Sequence, residues 1–476
     1  MTITRRAFVG ATAAMAALPA HAKDDAPPAI PTRRPPLGER KFVSKAIERE
    51  IARVKAKIAD PKLAWMFENA YPNTLDTTVK MSTIGGRPDS FVITGDIPCL
   101  WLRDSAAQVK PYLHLIKKDP KLDELFRGLI ARHARSILID PYANAFMEDP
   151  AAKTNLSWAL KDETEMRPGV AERKWEIDSL CYALRLAYLY WREMRDPRPF
   201  DVTWARSARL IVQTFREQQR KTGPGPYTFR RAANQPTESL LWGYGNPTKP
   251  VGLIHSGFRP SDDACLYPFL IPANMFAVIT LRELAVVAAE AAGDMKLAME
   301  AKALSDEVET AIQQYGKMRL RDGREVWAYE VDGFGNAIFM DDANVPSLSG
   351  LGYLGCVKPE DPLWRRTEAA AWSDANPWFF RGKAVEGIGG PHVGPGQVWP
   401  MSLTIRALSA IDDTTVRQCL KWLRDSDGGT GFVHEAVDQD DPAKFTRAWF
   451  AWANGLFGEL IVKLADERPH ILGTEL

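Results

Sequence analysis

Gly252-Leu253-Ile254-His255-Ser256-Gly257-Phe258-Arg259-Pro260-Ser261-Asp262-Asp263-Ala264-Cys265-Leu266-Tyr267-Pro268-Phe269 joins a loop to the start of a long apolar segment, and the same arrangement recurs along the chain. The first half, broken by Gly and Pro, reads as a loop carrying His255 and Arg259. Beyond Ser261 an apolar run to Ile279 has helical length, so Ser261 is the expected N-cap. Asp262 and Asp263 are then expected in a first helical turn, where the helix dipole favours carboxylates. Capping alone would account for such a pair, and a catalytic reading needs more company. Other loops carry it: Trp101, Arg103 and Asp104, then Asp341, Asp342 and Asn344, then His392, then His434 and Glu435. Each of these loops lies beside an apolar segment of helical length.

Working outward, the periodicity is helical nearly throughout. Ile47, Ile51, Val54 and Ile58 recur at helical spacing, as do Ile177, Leu180, Cys181, Leu184, Tyr188 and Trp191. The same pattern predicts helices over 104–116 with a bend at Pro111, and over 122–138, 203–219, 264–292, 296–315, 362–372, 397–410, 414–423 and 445–464. Strand-like alternation is local, as at 90–94. The fold class is therefore all-α, with roughly a dozen helices and motif-bearing loops between alternate ones. No fixed-period repeat is visible. A closed toroid of paired helices is the simplest arrangement that brings these loops to one mouth.

The ends and the charge limit the function classes. Arg5 and Arg6 precede an apolar stretch and Ala20-His21-Ala22, the pattern of a twin-arginine signal peptide over 1–22, with a periplasmic destination. A Pro-rich tether is expected over 23–40 and a single domain over 41–476. No later stretch reads as long and uncharged enough for a membrane span. Lys and Arg number 61 against 60 Asp and Glu, a balance that argues against nucleic acid as ligand. The five cysteines are odd in number and widely spaced, without CxxC, which suits neither a disulfide framework nor zinc. They read as buried small residues, and a monomer is expected.

Fifteen Trp is heavy usage, and several stand in the motif loops: Trp101, Trp242, Trp327, Trp378, Trp399, Trp449 and Trp452. Aromatic faces beside carboxylate and guanidinium groups form a surface that sugar rings favour. Trp191 and Trp422 read instead as helix packing. Glycoside hydrolysis needs two carboxyl groups and can run without a cofactor. Asp262 or Asp263 supplies one, and Glu435 the other. Glu435 follows a Gly-rich run, 428–431, that would let the backbone approach a ligand closely.

Gly95-Asp96-Ile97-Pro98 through Trp101-Leu102-Arg103-Asp104-Ser105, Glu172-Arg173-Lys174-Trp175-Glu176-Ile177-Asp178-Ser179, His255 to Phe269, Asp341 to Ser347, Gly389-Gly390-Pro391-His392 with Trp399-Pro400, and Gly431 to Glu435 follow one another in order. Together they resemble the signatures of glycoside hydrolase family 125, exo-acting α-1,6-mannosidases of bacteria and fungi. The resemblance spans roughly 41–464. It implies an (α/α)6 barrel, an inverting single displacement, removal of a non-reducing terminal mannose from an oligosaccharide, and no catalytic metal. It also implies a general acid in Ser261-Asp262-Asp263, with Asp262 preferred over Asp263, and a general base at Glu435. Arg103 and Asp104 would grip hydroxyls of the terminal sugar, with Asp178, His255, Arg259, Asn344, His392 and His434 nominated for the same pocket. A helix cap for Asp178 and a structural role for the histidines are the competing readings. Two other functions compete as well, an α-glucoside hydrolase on the same toroid and a carbohydrate-binding protein without catalysis.

Overall fold

In this computed structural model residues 30–233 and 235–476 are described. Residues 32–476 form one compact unit, while the expected leader at 1–22 and the first part of the tether lie outside the described residues. The second part of the expected tether packs onto the fold. Arg34 donates from Nε to Asp76 Oδ2 at 2.7 Å and from Nη2 to Glu48 Oε1 at 2.7 Å, and the backbone N–H of Arg33 donates to Asn69 Oδ1 at 2.9 Å. The packed unit thus begins before residue 41, because two arginines outweigh the loop-like prolines around them.

Six segments pack side by side and close on themselves: Leu102–Val109, Ile177–Met194, Ile271–Glu290, the short 3-10 turn Ser349–Leu351, Pro400–Ser409 and Ala451–Glu467. Each is followed in the chain by an element on the outside: Pro120–Ile139, Val202–Gln218, Met295–Tyr315, Pro362–Ala371 and Asp413–Asp425, with the N-terminal helices Lys45–Lys55 and Pro61–Ala70 covering the last. This is an (α/α)6 barrel. The two rings differ in sequence for a physical reason. Met295–Tyr315 buries one stripe, Leu297, Ala301, Leu304, Val308, Ala311 and Ile312, and leaves the rest to solvent. Ile271–Glu290 is enclosed by neighbours and is apolar nearly all round. It is long and apolar enough to cross a membrane, with mean hydropathy 1.5, which corrects the expectation that no interior stretch reaches that limit. Of that apolar stretch, 78% is buried inside the barrel.

Capping follows local chemistry. Asp119, Asp294 and Asp412 each accept a backbone N–H from the first turn of the helix they precede. The expected helix start at Ser261 is corrected. The helix begins at Ile271, because Pro268 disfavours helical backbone at Tyr267, and Phe269–Leu270 pair as a strand with Glu330–Val331. The predicted helices over 397–410 and 445–464 likewise start later, at Pro400 and Ala451, after short strands Gln397–Val398 and Phe445–Thr446. At Pro111, where a bend is expected, the α-helix Leu102–Val109 has given way to a 3-10 segment, Lys110–Lys118. The five cysteines are free, and all but Cys356 are buried.

Close approach sets one packing constraint. A Cβ on Gly128, in the helix Pro120–Ile139, would stand 2.8 Å from the backbone N of Ser90 and 2.9 Å from Asp89 C. Gly128→Ala is therefore expected to lower the unfolding free energy by about 1–3 kcal/mol despite its better helix propensity, read from the denaturant midpoint. Gly38→Ala, with nothing within 4 Å of the new Cβ, is the control and should leave the midpoint in place.

Candidate functional site

The loops that enter the six inner segments converge at one end of the barrel. They surround a cleft of about 610 Å³ lined by Trp101, Trp158, Lys161, Glu172, Lys174, Arg231, Glu238, Asp262, His392, Glu435 and Arg447. The cleft leads into a narrower recess walled by Arg103, Asp104, Asn344, Trp399, Phe450 and Trp452. Asp262, His392, Glu435, Trp101 and Arg447 line both, so the two carboxyl groups stand where the compartments meet.

At the base of this junction lies Arg103, 3% exposed in the first turn of its helix. Its Nη1 donates to Glu176 Oε2 at 2.7 Å and Asp178 Oδ2 at 3.1 Å, and its Nη2 to Asp262 Oδ1 at 3.4 Å. Asp104 Oδ2 is 3.6 Å from Nε. Four carboxyl groups thus share one guanidinium. Asn144 Nδ2 bridges Glu176 Oε1 and Asp262 Oδ1, each at 3.4 Å. Burial pushes Asp104 up to about 6, against the pull of Arg103. Arg103 and Asn144 each contact both Glu176 and Asp262, which sets the two carboxyls side by side. Burial, only partly opposed by Arg103, drives Glu176 far above the carboxylate range. Burial acts the same way on Asp262 but is outweighed by Arg103, the neighbouring Glu176 carboxyl, Lys174 and His392, which hold it below that range.

Asp262 sits on a turn, not in a helix. Its N–H donates to Arg259 O at 2.9 Å, the Arg259 N–H donates to Asp263 O at 2.7 Å, and Asp262 has φ of 67°. Asp is among the few residues that occupy this left-handed region readily. The buried Lys174 donates to the Asp262 carbonyl at 2.7 Å, and Ser261 Oγ donates to Asp342 Oδ2 at 2.6 Å. Arg259 faces away from the cleft, with Nε on Glu330 Oε1 at 2.6 Å. Glu330 Oε2 in turn accepts the N–H groups of Leu266 and Tyr267, so this buried pair staples the loop to the sheet below.

Glu435 precedes the strand Ala436–Asp438. It accepts from Thr446 Oγ1 at 3.0 Å and Arg447 Nη1 at 3.4 Å. The glycines before it serve packing: a Cβ on Gly428 would meet Phe445, and one on Gly431 would meet Asn69 and Trp65. Gly429, by contrast, has nothing within 4 Å of a Cβ, and none of the three lines the cleft or the recess. His392 lines both compartments together with Asp262 and Glu435 and stands 3.8 Å from Asp263 Oδ1. Burial lowers its pKa, but the neighbouring Asp263 carboxylate, then the charges of Asp262 and Glu435, raise it to about 9.

Among the described residues one group has metal-ligand spacing, Glu238, Asp263 and His392, within 4.8 Å of one another. Its charge is already balanced. Glu238 is paired with Lys174 at 3.2 Å and Arg231 at 3.0 Å, and His392 is itself cationic.

Of the residues nominated from sequence, Arg103, Asp104, Asp262, Asn344, His392 and Glu435 line the cleft or recess. Asp263 is buried behind Asp262 and lines neither. Asp178, nominated for the sugar pocket, lines neither compartment and reaches the site only through Arg103. His255 is buried beside Gly245 and Phe269, and His434 stacks on Phe445 at 3.8 Å with Nε2 2.9 Å from Asp427 O; both support loops. Trp101, Trp399 and Trp452 line the site, whereas Trp327 is core and Trp242 is 82% exposed outside the cleft. Glu176 and Lys174 stand in the Glu172-to-Ser179 motif yet drew no role, and Asn144, Trp158 and Arg447 carried no signal at all.

A family model described as "Metal-independent alpha-mannosidase (GH125)" matches residues 60–462. The "Meiotically up-regulated gene 157 protein" of Schizosaccharomyces pombe is 41% identical over 461 residues, covering 93% of this chain and 90% of that protein. A solved metal-independent α-mannosidase from Streptococcus pneumoniae, in a non-productive complex with α-1,6-mannobiose, superposes with a TM-score of 0.85. It is 37% identical and covers 90% of this chain and all of that one. A GH78 family rhamnosidase from Bacillus sp. GL1 shares the fold, with a TM-score of 0.50 at 13% identity over 86% of this chain and 35% of that one.

Because the folded pKa of His392 is raised, its pairing stabilises the fold fully below about pH 6.5 and is lost as the pH rises through about 9. The stability gap between wild type and His392→Gln should therefore be widest in mild acid and close by pH 9–10. Histidine NMR should show one ring titrating near 9.

Proposed function

As the chain belongs to glycoside hydrolase family 125, the metal-independent α-mannosidases, we propose that it removes single non-reducing terminal mannose residues from α-1,6-linked glycans with inversion. One observation carries the reading: Asp262 and Glu435 both stand at the junction of an inner recess and an outer cleft. A recess that closes beyond the carboxyls suits one terminal sugar, and the outer cleft suits the rest of the chain.

Asp262 is the general acid and Glu435 the general base. Asp263 is set aside for the acid because it lines neither compartment and pairs with His392. In the recess Arg103, Asp104 and Asn344 meet the sugar hydroxyls, while Trp101, Trp399 and Trp452 offer apolar faces. As the C1–O bond breaks, Asp262 gives its proton to the leaving oxygen, and Glu435 takes one from the water that attacks the opposite face of C1. Inversion requires the two carboxyls to stand about 6.5–9.5 Å apart. The acid must carry a proton at the moment of transfer, which burial of Asp262 favours and the Arg103, Lys174 and His392 charges oppose. The twin-arginine pattern supports export to the periplasm, and a monomer suffices because one chain furnishes every group named.

Proton NMR of purified enzyme with α-1,6-mannobiose should show β-mannose before α-mannose, at a rate a chelator does not change. α-Mannose first would overturn the single displacement, and no cleavage would overturn the linkage. Asp262→Asn and Glu435→Gln should each lower kcat/KM on mannobiose by about 10²–10⁴-fold. Asp263→Asn, which acts through His392, should cost much less.

A further inference from the structure

Glu176 is 1% exposed and lines neither compartment, yet it shares two hydrogen-bond partners with Asp262. Arg103 and Asn144 each contact both groups, which fixes them side by side. The charges around the pair are unequal. Arg103 faces four carboxyl groups, those of Asp104, Glu176, Asp178 and Asp262. Lys174 lies on the Asp262 side, bonded to its carbonyl, and His392 faces Asp262 across the cleft. Glu172 shares Asn144 from the other side, at 3.0 Å. Two adjoining carboxylates cannot both ionise in so little solvent, so the pair keeps one proton. Asp262 is about a quarter exposed to the cleft and Glu176 is sealed.

Resting on the assignment of Asp262 as acid, we propose that Glu176 is a positioning residue that holds the catalytic proton in the resting enzyme and passes it to Asp262 when the leaving oxygen arrives. The Glu176 O–H donates to an Asp262 oxygen. When a glycosidic oxygen enters the junction, the proton crosses to Asp262 and on to that oxygen as the C1–O electron pair moves onto it. The proton that Glu435 takes from water leaves to solvent, and one returns from solvent to the Glu176–Asp262 pair. Each turnover thus consumes one water and no net proton. The device answers a conflict in the site, where an acid surrounded by Arg103, Lys174 and His392 would by itself be ionised.

The test compares leaving groups. Glu176→Gln keeps a hydrogen-bond donor to Asp262 but carries no transferable proton, so Asp262 should lose its own proton at lower pH. On α-1,6-mannobiose, kcat/KM at pH 7 should fall about 100-fold or more, and the alkaline limb of the pH profile should move down by at least one unit. On 2,4-dinitrophenyl α-mannoside, whose leaving group needs no proton, the rate should stay within about threefold of wild type, which also reports that the variant is folded. His392 loses its proton near 9 with either substrate, so the comparison cancels its part. Glu176→Asp should place the mannobiose limb between wild type and Glu176→Gln, and it serves as the test if the amide variant fails to fold. An unmoved limb, or an equal loss on both substrates, would overturn the proposal in favour of simple support of Arg103. If Asp262→Asn also lost the dinitrophenyl substrate or kept mannobiose, the acid assignment itself would fall, whatever Glu176→Gln did.

Discussion

One buried guanidinium governs the site. Arg103 is nearly sealed from solvent and holds Glu176, Asp178, Asp262 and Asp104 around it. A buried cation is tolerable only with close, directional partners, and a planar fork with five donors can serve several carboxyls where an ammonium could not. The same contacts tie together three stretches remote in sequence, so the position of Asp262 depends on helices that begin at Leu102 and Ile177 as much as on its own turn. With more acids than bases in this cluster, protonation becomes part of the architecture.

The barrel explains why so many acids are gathered at one end. All six inner segments begin there, and the first turns of helices carry partial positive charge and free N–H groups. Asp341 shows the local use of this: it accepts the N–H groups of Leu348 and Ser349 and the Ser349 hydroxyl, while burial raises its pKa to about 7. It fixes the loop that presents Asn344. Farther along the helices packing takes over, as at Gly458 midway along Ala451–Glu467, where a Cβ would lie 2.6 Å from Tyr71.

Much of this was legible in the sequence, for stated reasons. Helical periodicity survives in the outer ring because those helices bury one stripe, and the motif loops announced the mouth through Trp, Arg and Asp. Boundaries before the inner helices were misread, since short strands such as Phe269–Leu270 continue the apolar run of the helix they precede. His255 and Arg259 looked functional because polar residues in a Gly/Pro loop look exposed. Only the fold shows that Arg259 is taken by Glu330 and that the His255 ring is enclosed. Asn144, Trp158 and Arg447 were invisible because their importance comes from tertiary neighbours and no local pattern marks them. Glu176 was the opposite case, standing in a quoted motif but hidden by its likeness to any glutamate before a helix.

The turn at Asp262 has a further consequence. A residue with φ of 67° is readily Asp, Asn or Gly and only reluctantly Glu. Evolution can therefore silence this position through Asn or Gly without disturbing the backbone, but lengthening the side chain by one methylene would strain the turn that Lys174 and Arg259 hold. The reach of the carboxyl into the cleft is written into the main chain, so its distance from Glu435 resists drift even where the surrounding side chains change.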